Sequence, residues 1–305
     1  MDADAAGLHR YADRRNAATA NRHRHEDAVM VVDRSNFRSE VRGPEPPGLA
    51  RAALLFAREI AYPDLRPSIY LAQIDDWAEA VQRRLSPDDS ISERVTRLTH
   101  FLFDDIGLRG NREDYGDPRN SYLNEVMMRG LGLPISLSVI FLEVAQRVGL
   151  RAEGIGLPGH FIVAVHLQHS RRFLDPFNAG LTVNAEDAAR LVSDTTGFAG
   201  SLQHEWFAPS PPDVIIARML FNLRGAYVRR EAWPQAIAVV EHLRILQTDT
   251  PDHLRDLGLL HFRNNSLRAG ASFLEEYLVR NPAAQDAPSI RQNLAAVLEQ
   301  LARLN

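Results

Sequence analysis

The sequence predicts an α+β fold set between helical regions, and three observations carry that prediction. Residues 49–110 and 134–148 place apolar side chains at helical spacing, three short runs of β-formers follow between 152 and 176, and beyond residue 213 a 34-residue repeat returns the chain to helix. A helix followed by antiparallel strands makes an α+β unit, and the repeat adds an all-α one.

Taken in order, residues 1–46 are polar and rich in Arg, His and Asp, and end in the breaker "GPEPPG" at 43–48. A mobile arm is expected there. Its "HRH" at 23–25 offers two metal ligands at most, too few for a site in a flexible segment. The stretches "LARAALLFAREIAY" and "SIYLAQIDDWAEAVQRRL" repeat apolar residues at i, i+3, i+4 and i+7 and are separated by "PDLRP". A third helix, "SERVTRLTHFLFDDI", follows the turn and cap residues "SPDDS". These read as antiparallel helices with short connections.

The segment "NSYLNEVMMRGLGLPISLSVIFLEVAQRVGL" reads as a short helix stopped by Gly130 and Gly132, then a helix opening at Pro134 and running to about Val148. Strands are expected around "AEGIGL", "HFIVAVHL" and "RRFLDP". These elements, with the helices leading into them, set a domain over residues 47–206. After "FAPSPPD" a shift of 34 residues aligns Leu223 with Leu257, Ala226 with Leu260, Trp233 with Leu267 and Ala236 with Gly270. A helix-turn-helix unit of that period is the tetratricopeptide signature, so residues 207–305 are expected to stack as two repeats and a final helix, "SIRQNLAAVLEQLARL". The aromatic residues Tyr227, Trp233 and Tyr277 fit the cores of those repeats.

Composition excludes several chemistries. There is no cysteine, which removes disulfides, thiolate metal sites and thiol nucleophiles together. There is no lysine either, so all 35 Lys+Arg residues are arginine and Schiff-base chemistry is closed. A net charge of −4 gives no electrostatic case for nucleic acid. No run of about 18 apolar residues offers a membrane span, and the N-terminal stretch lacks the apolar centre of a signal peptide, so a cytoplasmic protein is expected.

One constellation has the makings of a site. Ser136 (or Ser138) lies near a helix start, where unpaired N–H groups and the helix dipole favour an anion; His160 opens one strand; Asp175 ends the next. An antiparallel register brings the last two together, so the aspartate can orient the imidazole. Each residue also has a plain structural reading. Ser136 can cap its own helix, Asp175 before Pro176 can mark a turn, and the histidine–aspartate pair can persist as a hydrogen-bonded unit. Asn120, Tyr122 and Asn124 in "RNSYLNE" read either as a helix start or as polar groups lining the same cleft.

This order resembles the transglutaminase-like core of the papain-like superfamily, where a cysteine opens a helix, a histidine starts a following strand and an aspartate closes the strand after it. "GLP" at 132–134, "GH" at 159–160 and "DP" at 175–176 carry the likeness. It implies that His160 and Asp175 take the family's positions and that Pro134 stands where the cysteine would. The segments "YPDLRPSIYLAQIDD", "RNSYLNEVMMRGLGLPISLS", "GLPGHFIVAV", "DPFNAG" and "ARMLFNLRGAYVRREAWPQAIAVVEHL" resemble the Sir B family of bacterial proteins, which join such a domain to tetratricopeptide repeats.

Two functions follow as expectations. In the first, the chain is a pseudoenzyme that holds a peptide or protein partner through the repeats and the cleft, with Asn120, Tyr122, Asn124 and Pro134 contributing contacts. In the second, His160 is the general base of a non-thiol enzyme acting on a peptide or protein amide or ester, Asp175 orients it, and Ser136 or a water is the nucleophile. Neither needs a cofactor. A metal-dependent hydrolase using His160 and Asp175 with His166 or His169 is weaker, since no compact histidine motif is present.

Overall fold

The computed structural model of the chain describes residues 35–303. The greater part of the arm expected over 1–46, with its "HRH", lies outside the described residues. From Ser35 the chain is already helical. Helix α1 (Ser35–Val41) buries Phe37 completely, and Arg42 Nε donates to the Ile245 carbonyl at 2.8 Å. The terminal boundary of the folded part therefore lies upstream of the Gly-Pro breaker, because one aromatic side chain anchors a segment that is otherwise polar.

Helices α2 (Leu49–Ile60), α3 (Pro67–Gln82) and α4 (Ile91–His100) follow as the spacing predicts. Ser90 and Glu93 close a capping box at the start of α4, with Ser90 Oγ accepting from the Glu93 N–H at 3.3 Å and Glu93 accepting from the Ser90 N–H at 2.8 Å. The third helix was expected to run on to Ile106 as α-helix; instead Phe101–Asp105 form a π-helical turn. That turn keeps Phe101, Leu102 and Phe103 buried while the chain swings into a short parallel bridge, β1 (Arg109–Gly110) against β2 (Leu131–Gly132).

Helix α5 (Leu123–Arg129) stops at Gly130, whose φ of 70° supplies the left-handed cap. Helix α6 (Pro134–Arg147) is the hub of the domain. Every residue from Pro134 to Ala145 is buried, so the helix is enclosed on all sides rather than along one stripe. Its buried Glu143 accepts from the Ala50 N–H at 2.8 Å, satisfying an open donor at the start of α2.

The sheet lies against α6. Its order is β3 (Ala152–Ile155), β4 (Ile162–His166), β5 (Arg171–Asp175) and β6 (Leu181–Thr182), all antiparallel. Central strand β4 buries Ile162 through Val165 on both faces. Ile162 and Ala164 share a core with Ala188 and Val192 of helix α7 (Ala185–Thr196), while the opposite face packs toward α6.

The C-terminal helices keep the 34-residue period. They are α8 (Pro212–Arg229), α9 (Trp233–Leu246), α10 (Asp252–Arg263), α11 (Leu267–Arg280) and α12 (Ala287–Arg303). The first repeat begins before the sheet is left behind, since Ile155 bridges Pro209 and the Ser210 N–H reaches the Gly154 carbonyl at 2.8 Å. Within the second repeat the helices nearly touch: a Cβ at Gly270 would come within 2.2 Å of Phe262, and one at Gly258 within 2.3 Å of Leu274. Among the described residues no helix is long and apolar enough to cross a membrane.

A buried tyrosine cluster also joins the two regions. The hydroxyls of Tyr122 and Tyr227 lie 2.7 Å apart, and the Tyr62 ring meets Tyr122 edge-on at 5.1 Å. Burial raises the pKa of all three, that of Tyr227 to about 12. Unfolded tyrosine ionises near about pH 10. Between those values the folded state therefore holds more protons, and stability, fully present below pH ~10, is lost as pH rises toward 12. Urea unfolding at pH ~8 and ~11 should show a loss of at least about 2 kcal/mol. Equal stability at both pH values would contradict the cluster.

Candidate functional site

His160 reaches its place through a tight turn. The His160 N–H donates to the Leu157 carbonyl at 3.2 Å, with Pro158 and Gly159 between them, and Gly159 has φ 71°. Proline followed by a residue of positive φ is the pattern of a type II turn. A side chain at position 159 has no room, because its Cβ would lie 2.2 Å from Thr195 Oγ1 in α7. The "LPGH" stretch thus fixes the histidine against the sheet before β4 begins.

Asp175 ends β5, and the register that pairs Val163 with Leu174 carries it beside the start of β4. His160 Nε2 lies 2.9 Å from Asp175 Oδ2, and both side chains are buried. The carboxylate also accepts from the Phe177 N–H at 3.0 Å, the Asn178 N–H at 3.4 Å and Asn178 Nδ2 at 2.7 Å. A carboxylate only accepts, so Nε2 carries the proton toward it and leaves Nδ1 to the site. Among the described residues nothing hydrogen-bonds to Nδ1. Phe177 meets the imidazole edge-on at 6.0 Å, and its ring fills the space in front of Gly110, where a Cβ would come within 2.5 Å. Beyond Phe177 opens a cleft of about 450 Å³, lined in part by Arg109, Arg112 and Asn178.

Ser136 is fully buried and turned into its own helix start. Its Oγ donates to the Asn120 carbonyl at 2.7 Å and accepts from the Leu133 N–H at 2.9 Å. The single hydroxyl proton is thereby committed, and no hydrogen bond joins Ser136 to His160. Ser138 is buried too, without a partner for its Oγ among the described residues. Pro134 is the first residue of α6 and buried, on the helix that packs against the turn after Asp175.

The "RNSYLNE" residues form a scaffold beside the site. Asn120 joins Asn111, Asp114 and Arg129 through its amide: Oδ1 accepts from Asn111 Nδ2 at 3.0 Å, and Nδ2 donates to the Asp114 carbonyl at 2.7 Å. It holds the loop 111–117 to the start of α6. Tyr122 turns to Tyr227 rather than to the histidine. Asn124 is buried with its Oδ1 unpartnered among the described residues. His166 pairs with Glu153 at 2.9 Å. No group of three or more His, Asp or Glu residues able to hold a metal ion is found among the described residues. Phe177 and Asn178, inside the quoted "DPFNAG", escaped a motif-based reading that stopped at the aspartate.

A buried helix laid against an antiparallel sheet, with a histidine and an aspartate on adjacent strands and paired helices behind, defines a transglutaminase-like protein with tetratricopeptide repeats. Residues 69–221 match the transglutaminase-like superfamily and residues 223–295 the tetratricopeptide repeat. A UPF0162 protein of Xylella fastidiosa (strain Temecula1) is 31% identical over 249 residues, 81% of this chain and 88% of that one. One of Haemophilus influenzae is 24% identical over 213 residues, covering 70% and 79% of the two chains. Human F-box only protein 21 shares 33% identity over 72 residues, 24% of this chain and 12% of its own. The chain belongs to the UPF0162 family within the transglutaminase-like superfamily.

Proposed function

We propose that the chain is a degenerate transglutaminase-like protein that binds a peptide or protein partner at the His160–Asp175 site and along its repeats, without turnover. One observation carries the reading: Ser136, the hydroxyl nearest in sequence to the expected nucleophile position at Pro134, spends its proton on the Asn120 carbonyl, in a chain with no thiol. Tetratricopeptide repeats generally present concave surfaces to other proteins, which supports a protein partner. The net charge of −4 argues against nucleic acid, and the bacterial relatives support a bacterial source. The finer assignment to the Sir B proteins rests on the segments quoted above and on the same order of domains.

The competing reading, a non-thiol hydrolase, draws on the unengaged Nδ1 of an oriented imidazole, a suitable base for a bound water. Both are decided by comparing the full chain with its His160→Ala variant on an array of acetylated peptides and on p-nitrophenyl acetate, with thermal unfolding to check that the variant folds. Peptide binding lost in the variant, with ester turnover equal in both proteins, is the expected outcome. Turnover that depends on His160 would establish the hydrolase, and peptide binding indifferent to His160 would remove the site from either function.

A further inference from the structure

Arg218 is a cation at the edge of the His160 site that nothing in the proposed function uses. It belongs to α8, the helix that leads into the repeats, yet it reaches the turn that delivers the histidine. Its NH2 donates to the Leu157 carbonyl at 2.9 Å and to the His160 carbonyl at 2.7 Å, spanning both ends of that turn. The guanidinium lies over the Phe161 ring at 5.4 Å. NH1 lies beside Gly156, where a Cβ would meet it at 3.0 Å.

The other edge of this guanidinium is unspent. Arg224 of the same helix pairs with Asp256, and Arg230 just past its end pairs with Asp114, whereas no carboxylate among the described residues stands within ion-pair distance of Arg218. Nε and NH1 have no acceptor among those residues, and neither is sealed from solvent. Burial lowers the pKa of Arg218, and Tyr115 is the titratable neighbour that opposes the shift. A partly desolvated cation without a counter-charge is costly to maintain, and an anionic ligand would relieve that cost.

The neighbouring aromatic and basic side chains suit such a ligand. Tyr115 meets Phe177 edge-on at 5.9 Å, Phe177 meets His160, and Arg218 holds the His160 carbonyl, so contacts link residues of four segments around the histidine. Phe177 also lines the cleft of about 450 Å³, whose charged residues are Arg109 and Arg112 against a single acid, Glu113. The Asp175 carboxylate is answered by four donors and repels an incoming anion little.

The geometry points to Arg218 as the carboxylate-recognising group of the His160 site, which makes the ligand an acidic peptide segment whose carboxylate seats on the free guanidinium edge. The carboxylate is that of an acidic side chain or of a chain terminus. This rests on the peptide-binding reading of the site and deepens it. It also gives the helix that leads into the repeats a direct part in recognition.

The test uses the full chain labelled with ¹⁵N-histidine and three probes: acetyl-Ala-Glu-Ala-amide, acetyl-Ala-Gln-Ala-amide and acetyl-Ala-Ala-Ala with a free terminus. One or both carboxylate peptides should shift the His160 ring signals and bind about tenfold or more tighter than the glutamine peptide, and which of them does so identifies the source. The preference should shrink with added NaCl, vanish in Arg218→Gln and survive in part in Arg218→Lys. A structural role for Arg218 would not produce that charge preference. If Arg218→Gln fails to fold, the salt dependence of the natural chain and the lysine variant decide. Charged and neutral peptides binding alike would overturn the role of Arg218 while leaving the peptide site standing. No peptide shifting His160 would overturn both.

Discussion

Replacing Asp175 with alanine is expected to cost about 3 kcal/mol of stability and to release His160 from its fixed orientation. The carboxylate is 1% exposed and accepts four hydrogen bonds, from His160, the Phe177 and Asn178 N–H groups and the Asn178 side chain. Deleting it leaves buried donors facing one another with little access for water, and each orphaned donor costs about 1–3 kcal/mol. Asp175→Asn separates charge from shape. Its amide oxygen can still accept from the turn, while its NH2 faces Nε2 and favours the other imidazole tautomer. Asparagine should therefore cost less than alanine, about 1–2 kcal/mol because its NH2 also confronts the Asn178 side-chain donor, yet move the proton from Nε2 to Nδ1. Urea unfolding gives the first quantity and ¹⁵N shifts of the His160 ring give the second. An alanine variant as stable as the natural chain, or an asparagine variant with an unchanged tautomer, would refute the arrangement.

The same residues show what the sequence could reveal. A proline and a glycine before a β-rich run announce a turn that ends on His160, and "DP" closing the next run announces its partner. Antiparallel pairing of neighbouring strands then requires the two to meet, so the pair was legible. The period of 34 was legible for a similar reason, because helix crossings demand small residues at fixed intervals, and Gly270 meets that demand against Phe262. Ser136 could not be resolved this way. Whether a first-turn hydroxyl faces the site or its own helix is a rotamer decision, and the Asn120 carbonyl that settles it comes from 16 residues away. Arg218 carries no local signal at all. It is one arginine of an amphipathic helix, and its meaning comes from the turn 58 residues upstream that accepts its hydrogen bond.

Phe37 and Glu59 were hidden for a third reason. The segment around Phe37 reads as a polar arm because local composition ignores what one buried aromatic can anchor. Phe37 packs on the His242 ring at 4.9 Å and edge-on to Phe56 at 6.3 Å. Its N–H donates to Glu59 Oε1 at 3.0 Å, and Glu59 Oε2 lies 3.2 Å from His242 Nε2. His242 Nδ1 faces the Ala238 carbonyl at 2.8 Å, which can only accept. The pair therefore shares two protons over three positions and has zero net charge whichever partner holds the second proton.

Glu59→Ala should accordingly destabilise the chain by about 3–5 kcal/mol, the scale for breaking a buried pair by removing one member. It strands the Phe37 N–H and one imidazole nitrogen where both His242 and Glu59 are shut off from solvent. The double variant Glu59→Leu with His242→Phe should recover part of that loss, because apolar residues of similar volume avoid the desolvation cost of the pair while the Phe37 N–H stays without its acceptor. Glu59 lies on α2, Phe37 on α1 and His242 on α9, so this contact ties the N-terminal helices to the first repeat. The helix leading into that repeat carries Arg218 to the His160 turn. The single variant should therefore weaken peptide binding at the site as well as lower the unfolding midpoint, and the double variant should recover both in the same proportion. Recovery of stability without recovery of binding would mean that the polar pair sets how the first repeat is seated, and that apolar packing alone cannot hold Arg218 against the turn.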